Sequence, residues 1–392
     1  MIRNLLFLLL PLYFFTACNP SNLPNAPTVP KAERILQPWF GDVNWWSWDG
    51  ETPELLLGAS SFEAPFLEKN WKAELNYLRK TGGNYVRITL PASTGENAPL
   101  MDYGSLPDPE SSDLDYWQKL DKYIDYAASI SIAVEIQVWD AKNIVEKWDS
   151  TIWEYLESYF EDTYLAGEHP FFRTIPGSIG YSGAFELVVP EQEKFVDLLL
   201  AKTLAHNNVI YNVQVPENTL IPWMVYWGQY IEARAKEQGR IANVNAGIVP
   251  DRRINVARFN QSLLAGATIA FHRPKPNGNG MNGLAQASIR GIRVVELHLK
   301  FHELKPAPEL LLEDDTEALA ATDGNGNYLI YLPSAGQVNL SPDWNDQVPV
   351  KVTVVGYLGT QRTETLEPPY GDSFRLHTKE EKGGWMILKP QR

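Results

Sequence analysis

Only one cysteine, Cys18, occurs in 392 residues, so no disulfide can form within the chain. The patterns GxxxxGK[ST], GxSxG, HExxH and CxxC are missing. With them go the sequence handles of P-loop nucleotide enzymes, serine hydrolases, zinc proteases and thiol redox sites. Histidine is scarce, at six residues, and no metal-ligand set and no cofactor motif stands out. Positive charge is in deficit. Lys and Arg number 34 against 48 Asp and Glu, a net charge of −14, which argues against nucleic acid as a partner. No repeat of solenoid type is present, and no internal apolar run is long enough to span a bilayer.

What is present is ordinary in bulk and unusual in detail. Hydrophobic residues make up 44 % and charged residues 21 %, enough core for one large domain and a small one. Thirteen tryptophans is a rich supply. The N-terminus has a basic Arg3 and then an apolar stretch from Leu5 to Phe15, the layout of a signal peptide. Phe15-Thr16-Ala17-Cys18 resembles a bacterial lipobox. The lone thiol is then the acylation site, the alternative being an ordinary signal peptide with an incidental cysteine. The Pro/Asn-rich stretch NPSNLPNAPTVP that follows reads as a tether. Asn19 is not Asp, so the expectation is an outer-membrane lipoprotein, touching the membrane only through its lipid.

From residue 54 the period of the apolar pattern switches repeatedly between two and 3.6. Strands are predicted over 54–59, 84–90, 132–139, 209–215, 241–248 and 267–271. Between them, helices are predicted from Asn70 to Gly82, from Asp115, over 191–206, 223–238 and 254–265, and a last one over about 284–301. Repeated strand-helix alternation means a parallel sheet. Carboxylates and aromatic loops at strand tips favour a (β/α) barrel over an open doubly wound sheet. The glycine pair Gly82-Gly83 precedes a strand rather than following one. From Glu317 on, strands alternate with turns, beginning with a hairpin at Asp323-Gly324-Asn325-Gly326. The expected organisation is a signal peptide at 1–17, a lipidated Cys18 and tether to 34, an α/β barrel over 35–312 and an all-β sandwich over 313–392.

The series LLLGASSF (55–62), TGGNYVRITL (81–90), LDYWQKLDKYIDYA (114–127), AVEIQVWD (133–140), HPFFRTIP (169–176) and AFHRP (270–274) resembles one group. It is the apiosidase-like, barrel-type glycoside hydrolases of bacteria, and the likeness covers roughly residues 50–390. The C-terminal pattern from ATDGNGNYLIYLP to GGWMILKP looks like the β-domain those proteins carry, labelled collagen-binding. The resemblance implies a TIM-barrel-like fold and a carboxylate-catalysed glycosidase. It departs from the family in two ways. The strand at 209–215 runs into Pro216-Glu217-Asn218, where an amide would precede the glutamate. Six strand-helix units are found where a full barrel has eight, so the barrel is shortened.

Glycoside hydrolysis takes two carboxyl groups, one kept protonated and one ionised. Glu217 is the acid candidate; its bland role is to cap the next helix. Asp140 is the candidate partner, or a sugar-hydroxyl ligand, or a structural loop acceptor. Arg87 either holds substrate or forms a buried ion pair with Glu135, with Gln137 in the same polar layer. Trp139, Trp148, His272 and Arg273 complete the candidate sugar site. His272 and Arg273 lie at the barrel mouth by the resemblance, with Arg273 alternatively closing the barrel against an acid near the first strand.

The aromatics of 148–185 are either sugar-stacking walls or the core of an inserted helix. Trp45, Trp46 and Trp48 are either an exposed platform or a plug in the base. His298 and His302 have helical i, i+4 spacing, which admits a metal but favours a solvated helix end. Two functional readings follow: a surface glycoside hydrolase acting as a monomer on a glycan or oligosaccharide, and a catalytically dead carbohydrate-binding lipoprotein derived from one.

Overall fold

The computed structural model describes residues 34–90, 113–146, 153, 156, 169–178, 180, 181, 183–213, 221–245, 256–264, 266–273, 280–312, 317–341, 348–368, 374–379 and 381–391. A short antiparallel pair comes first, β1 (Gln37–Pro38) with β2 (Trp46–Ser47). The alternating part follows in chain order. Its elements are β3 (Leu56–Ala59), α1 (Trp71–Thr81), β4 (Tyr85–Thr89), α2 (Asp113–Ser129), β5 (Ala133–Gln137), α3 (Ala141–Glu146), α4 (Val189–Thr203), β6 (Val209–Asn212), α5 (Ile221–Glu237), β7 (Asn243–Asn245), α6 (Val256–Leu264), β8 (Ile269–His272) and α7 (Gly283–Glu296). All six predicted parallel strands are present. They form one six-stranded sheet in the order β7-β6-β5-β4-β3-β8, every pairing parallel. Among the described residues no ladder joins β7 to β8.

Parallel pairing puts the C-terminal ends of all six strands at one end of the sheet. The residues between them follow the pleat. Val86 and Ile88 on β4, and Val134 and Ile136 on β5, are fully buried under the helices, while their neighbours Arg87 and Glu135 meet inside. Gly58 on β3 is registered with Tyr85 and with Phe271. A Cβ there would collide with the Tyr85 carbonyl and ring, so only glycine admits the Tyr85–Phe271 edge-to-face contact, 5.7 Å between centroids. Helix α1 stops where the sequence pattern says. Gly82 has φ +100°, and the bonds Gly82 N–H to Arg79 O and Gly83 N–H to Leu78 O close a Schellman end. At the base, asparagine side chains stitch strand entries to their neighbours. Asn84 bonds Leu55 and Leu57, Asn208 bonds Ile124 and Ile132, and Asn243 bonds Leu36 and Val209.

The C-terminal region holds β9 (Lys305–Pro306), β10 (Leu319–Thr322), β11 (Tyr328–Leu332), β12 (Gly336–Leu340), β13 (Val350–Gly356), β14 (Gln361–Leu366), β15 (Phe374–Thr378) and β16 (Gly384–Pro390). Six of them make an antiparallel sheet, β14-β13-β16-β11-β10-β9, and β12-β15 make a second, two-stranded one. The central strands β11 and β16 of the larger sheet are buried on both faces, and the pleat decides which residue goes where. Ile330, Leu332, Met386 and Leu388 face the small sheet. Leu329, Tyr331, Trp385 and Ile387 belong to the barrel's own core, with Trp385 edge-on to Phe301 at 6.2 Å. That explains why YLIYL and WMIL read as unbroken apolar runs. Two expectations fail in this half. Strand β12 (GQVNL) carries too weak an alternation to be predicted. The last helix ends at Glu296 rather than near 301, so His298 and His302 do not share a helix face.

Candidate active site

Four of the six parallel strands send a polar side chain to one point. Arg87 on β4 is the register partner of Glu135 on β5, and its Nη2 lies 3.3 Å from both carboxylate oxygens. Asn212, the last residue of β6, donates its amide to Glu135 Oε1. Asn245, the last residue of β7, donates to the same oxygen at 3.3 Å. Arg273, just past β8, adds its positive field. Arg87 Nε also reaches the Tyr85 hydroxyl at 3.3 Å. Above this layer Thr89 Oγ1 and Gln137 Oε1 are 3.4 Å apart, and Gln137 Nε2 donates to the Trp139 carbonyl.

Glu135 has no solvent exposure, whereas the Arg87 side chain keeps 17 %. Burial pushes the Glu135 carboxyl up to about 7, against the opposing pull of the Asn212 and Asn245 amides and the Arg273 charge. What the carboxyl does is hold donors: with Glu135 as their anchor, Arg87 and Asn245 are fixed while remaining half-buried, as are Gln137 and Arg273. The arrangement is a preorganised floor of hydrogen-bond donors at the C-terminal end of the strands, where α/β folds place their ligands.

The structure sorts the predicted residues. Arg87 and Arg273 belong to this cluster, and the Arg87–Glu135 ion pair forms. Arg273 thus lies close enough to the carboxyl of β5 for its charge to act on it. Trp139 does not line a sugar site. It is 1 % exposed and sits among Trp153, Phe171, Phe195, Trp223 and Trp227, with centroids 5.2–5.8 Å away. The expectation assumed that alternation continues from Glu135 and Gln137, but β5 ends at Gln137 and the chain turns. His272 is also misplaced by the sequence reading. Phe271 packs on interior Tyr85, so His272 takes the opposite face, where it is 5 % exposed and burial holds its imidazole down at about 4.

Asp140 is buried just beyond β5, and its carbonyl accepts from Ile144 N–H at the start of α3. Glu217, Trp148 and Cys18 lie outside the described residues. Trp153, Phe171 and Phe172 are core residues, the blander of the two readings for that aromatic stretch. Trp45 and Trp48 are buried at the base, a plug and not a platform. His298 bonds Gln361 at 2.8 Å, His302 packs on Trp39 and Trp45, and no group of three potential metal ligands occurs among the described residues.

Sequence reasoning missed Asn212 and Asn245. The available signal was their position: each is an amide inside a predicted strand, and the structure sets Asn212 in register with the inward Gln137 and Asn245 in register with Asn212. One glycine pattern also has the spelling GxGxxG, at 278–283 between β8 and α7. Its context is wrong for a dinucleotide fingerprint, which opens a βαβ unit. Here β8 is the last parallel strand, and α7 leads into the antiparallel region.

No protein-family model and no curated protein sequence matches the chain. Solved structures do. A glycoside hydrolase family 5 protein from Bacteroides vulgatus superposes with a TM-score of 0.61 at 10 % identity, over 93 % of this chain and 94 % of that one. A second structure, a glycoside hydrolase, gives a TM-score of 0.61 at 9 % identity, over 93 % of this chain and 99 % of that one. Coverage of that extent leaves no room to omit either sheet region. The fold is therefore an α/β, TIM-barrel-like domain, with six parallel strands among the described residues, carrying an antiparallel β region at its C-terminal side, in the likeness of glycoside hydrolase barrels.

Proposed function

We propose that the chain is a glycoside hydrolase that works on a glycan or oligosaccharide at the C-terminal end of the barrel strands. The observation that carries the reading is the convergence of Arg87, Asn212, Asn245 and Arg273 on buried Glu135. Such a floor suits hydroxyl-rich substrates, which need several fixed donors in a confined site. Glu217 supplies the general acid. It lies four positions beyond Val213, the last described residue after β6, the strand that brings Asn212 to the cluster. Asp140 is its partner, close after β5. Arg87 and Arg273 bind substrate, and Glu135 positions Arg87. The fold likeness to glycoside hydrolases supports the same class but not the sugar; the apiosidase-like resemblance makes pentose-containing plant glycans the first substrates to try.

The experiment is a reducing-sugar assay on a glycan panel with the wild type and Glu217→Gln. Glu217→Gln is expected to abolish hydrolysis with sugar affinity largely intact; full activity in that variant would refute the assignment. A second reading has its own observation: the interior carboxyl among the described residues, Glu135, is sealed from solvent. A barrel of this kind without an opposed acid pair captures glycan without cutting it. Binding without turnover by the wild type favours this alternative. In both readings Cys18 is the acylation site that tethers the chain to the outer membrane. Radiolabelled palmitate incorporation that is unchanged in Cys18→Ser would exclude it.

A further inference from the structure

At the opposite end of the barrel the hairpin β1–β2 lies against the strand entries. Leu36 N–H bonds the Asn207 carbonyl at 2.8 Å, and Asn243 Nδ2 bonds the Leu36 carbonyl at 2.7 Å. Between this hairpin and the end of α7 is a cavity of about 420 Å³, lined by Trp39, Trp45, Glu51, Glu296, Lys300 and His302 among others. Its volume falls within the roughly 300–1,000 Å³ of small-molecule sites.

The aromatic frame is fixed before any ligand arrives. Trp39 Nε1 donates to the Glu51 carbonyl at 2.8 Å. The His302 ring stands edge-on to Trp39 at 5.3 Å and to Trp45 at 5.8 Å. The Trp39 indole stays half-buried and lines the cavity. The charges in the wall are largely spent on neighbours. Glu296 Oε2 is 2.5 Å from Arg293, and Lys300 Nζ is 3.2 Å from Glu303. Burial lowers the His302 imidazole below its ordinary value, which keeps it neutral at pH 7. An indole wall with a balanced polar rim fits an uncharged ring that has one apolar face and a hydroxylated edge. A preorganised wall of this kind costs little to order on binding.

We infer that this basal cavity, at the strand-entry end, is a second saccharide-binding site that shares no lining residue with the donor cluster at Arg87. The inference takes its ligand class partly from the carbohydrate reading above, but its location is independent of it.

The test is ligand-observed saturation-transfer NMR on the full chain with cellobiose, mannobiose, xylobiose and lactose. At least one disaccharide is expected to give a signal that survives Arg273→Ala, a change in the donor cluster, and falls at least fivefold in Trp39→Ala. Lys300→Ala removes a side chain that is 66 % exposed, so it leaves folding intact and is expected to weaken the same signal about threefold; it decides the matter if Trp39→Ala does not fold. No signal from any of the four sugars, or a signal indifferent to both basal variants, overturns the proposal. A signal lost only in Arg273→Ala also overturns it while leaving the hydrolase reading intact. A basal signal from a chain that hydrolyses nothing upholds this site and counts against that reading.

Discussion

Arg87 and Glu135 are register partners on adjacent parallel strands, yet one keeps 17 % of its side chain in contact with solvent and the other none. The asymmetry makes the pair a bracket: the carboxyl is the buried foot, and the guanidinium is the part presented to the mouth. Buried pairs of this kind are weak sources of net stability but costly to break on one side.

Removing one partner is therefore expected to hurt more than removing both. Arg87→Met and Glu135→Ala should each destabilise by about 3–5 kcal/mol, because the first strips buried Glu135 of its ion-pair partner and the second takes from Arg87, Asn212 and Asn245 the acceptor they share. The double variant should cost clearly less than the sum. Urea denaturation of the four proteins measures the coupling, and strict additivity would show that the pair does not act as a unit.

The pH dependence has a definite sign. The Glu135 carboxyl is raised in the fold from 4.5 to about 7. Its favourable contribution is thus complete below about 4.5 and is lost as pH rises through about 7, a swing on the order of 3 kcal/mol. His272 works oppositely. Its imidazole is lowered to about 4, so its contribution is present above about 6.5 and lost as pH falls through about 4. Glu54 is raised by burial as well, so the readout is a difference between variants. The melting temperature of Glu135→Gln minus that of the wild type should increase from pH 5 to pH 8. A difference that stays flat over that range would contradict the assignment.

Trp139 is the hub of the aromatic cluster that joins β5, α4, α5 and the segment around Phe171. Trp139→Ala should destabilise by about 3–5 kcal/mol and remove much of the near-ultraviolet circular dichroism. Had Trp139 lined a sugar site instead, the same change would leave stability nearly untouched and weaken binding.

Gly58→Ala is a smaller change in atoms, but it meets backbone. The added methyl would strike the Tyr85 carbonyl, and β3 cannot retreat without breaking its pairing to β8. The expected loss is about 1–3 kcal/mol or more, read by thermal denaturation. A melting temperature equal to the wild type would mean that β3 and β4 are less closely apposed.

Much of this molecule was legible in its residues. Val134 and Ile136 alternate with Glu135 and Gln137, and that pattern alone marks a strand with a polar inner face. Gly82 marks the end of α1 because its φ of +100° is one that residues with a Cβ rarely adopt. The Arg87–Glu135 pair was legible too, since two opposite charges at the inward positions of neighbouring strands have few other partners. Trp139 was misread because parity holds only while the chain stays extended, and β5 stops two residues earlier. Strand β12 was missed because GQVNL is half exposed and only its pairing with β15 makes it a strand.

What the sequence determined by itself is the kind and order of the elements: local periodicity, caps and turn residues act over a few positions and need no distant partner. The tertiary structure alone decided that Asn212 and Asn245 join Glu135, while His272, next to Arg273 in the chain, faces away. The reason is geometric. Which side chains converge depends on the register between strands 30 to 80 positions apart in the chain, and register is set by how whole faces bury against helices, not by any residue's neighbours.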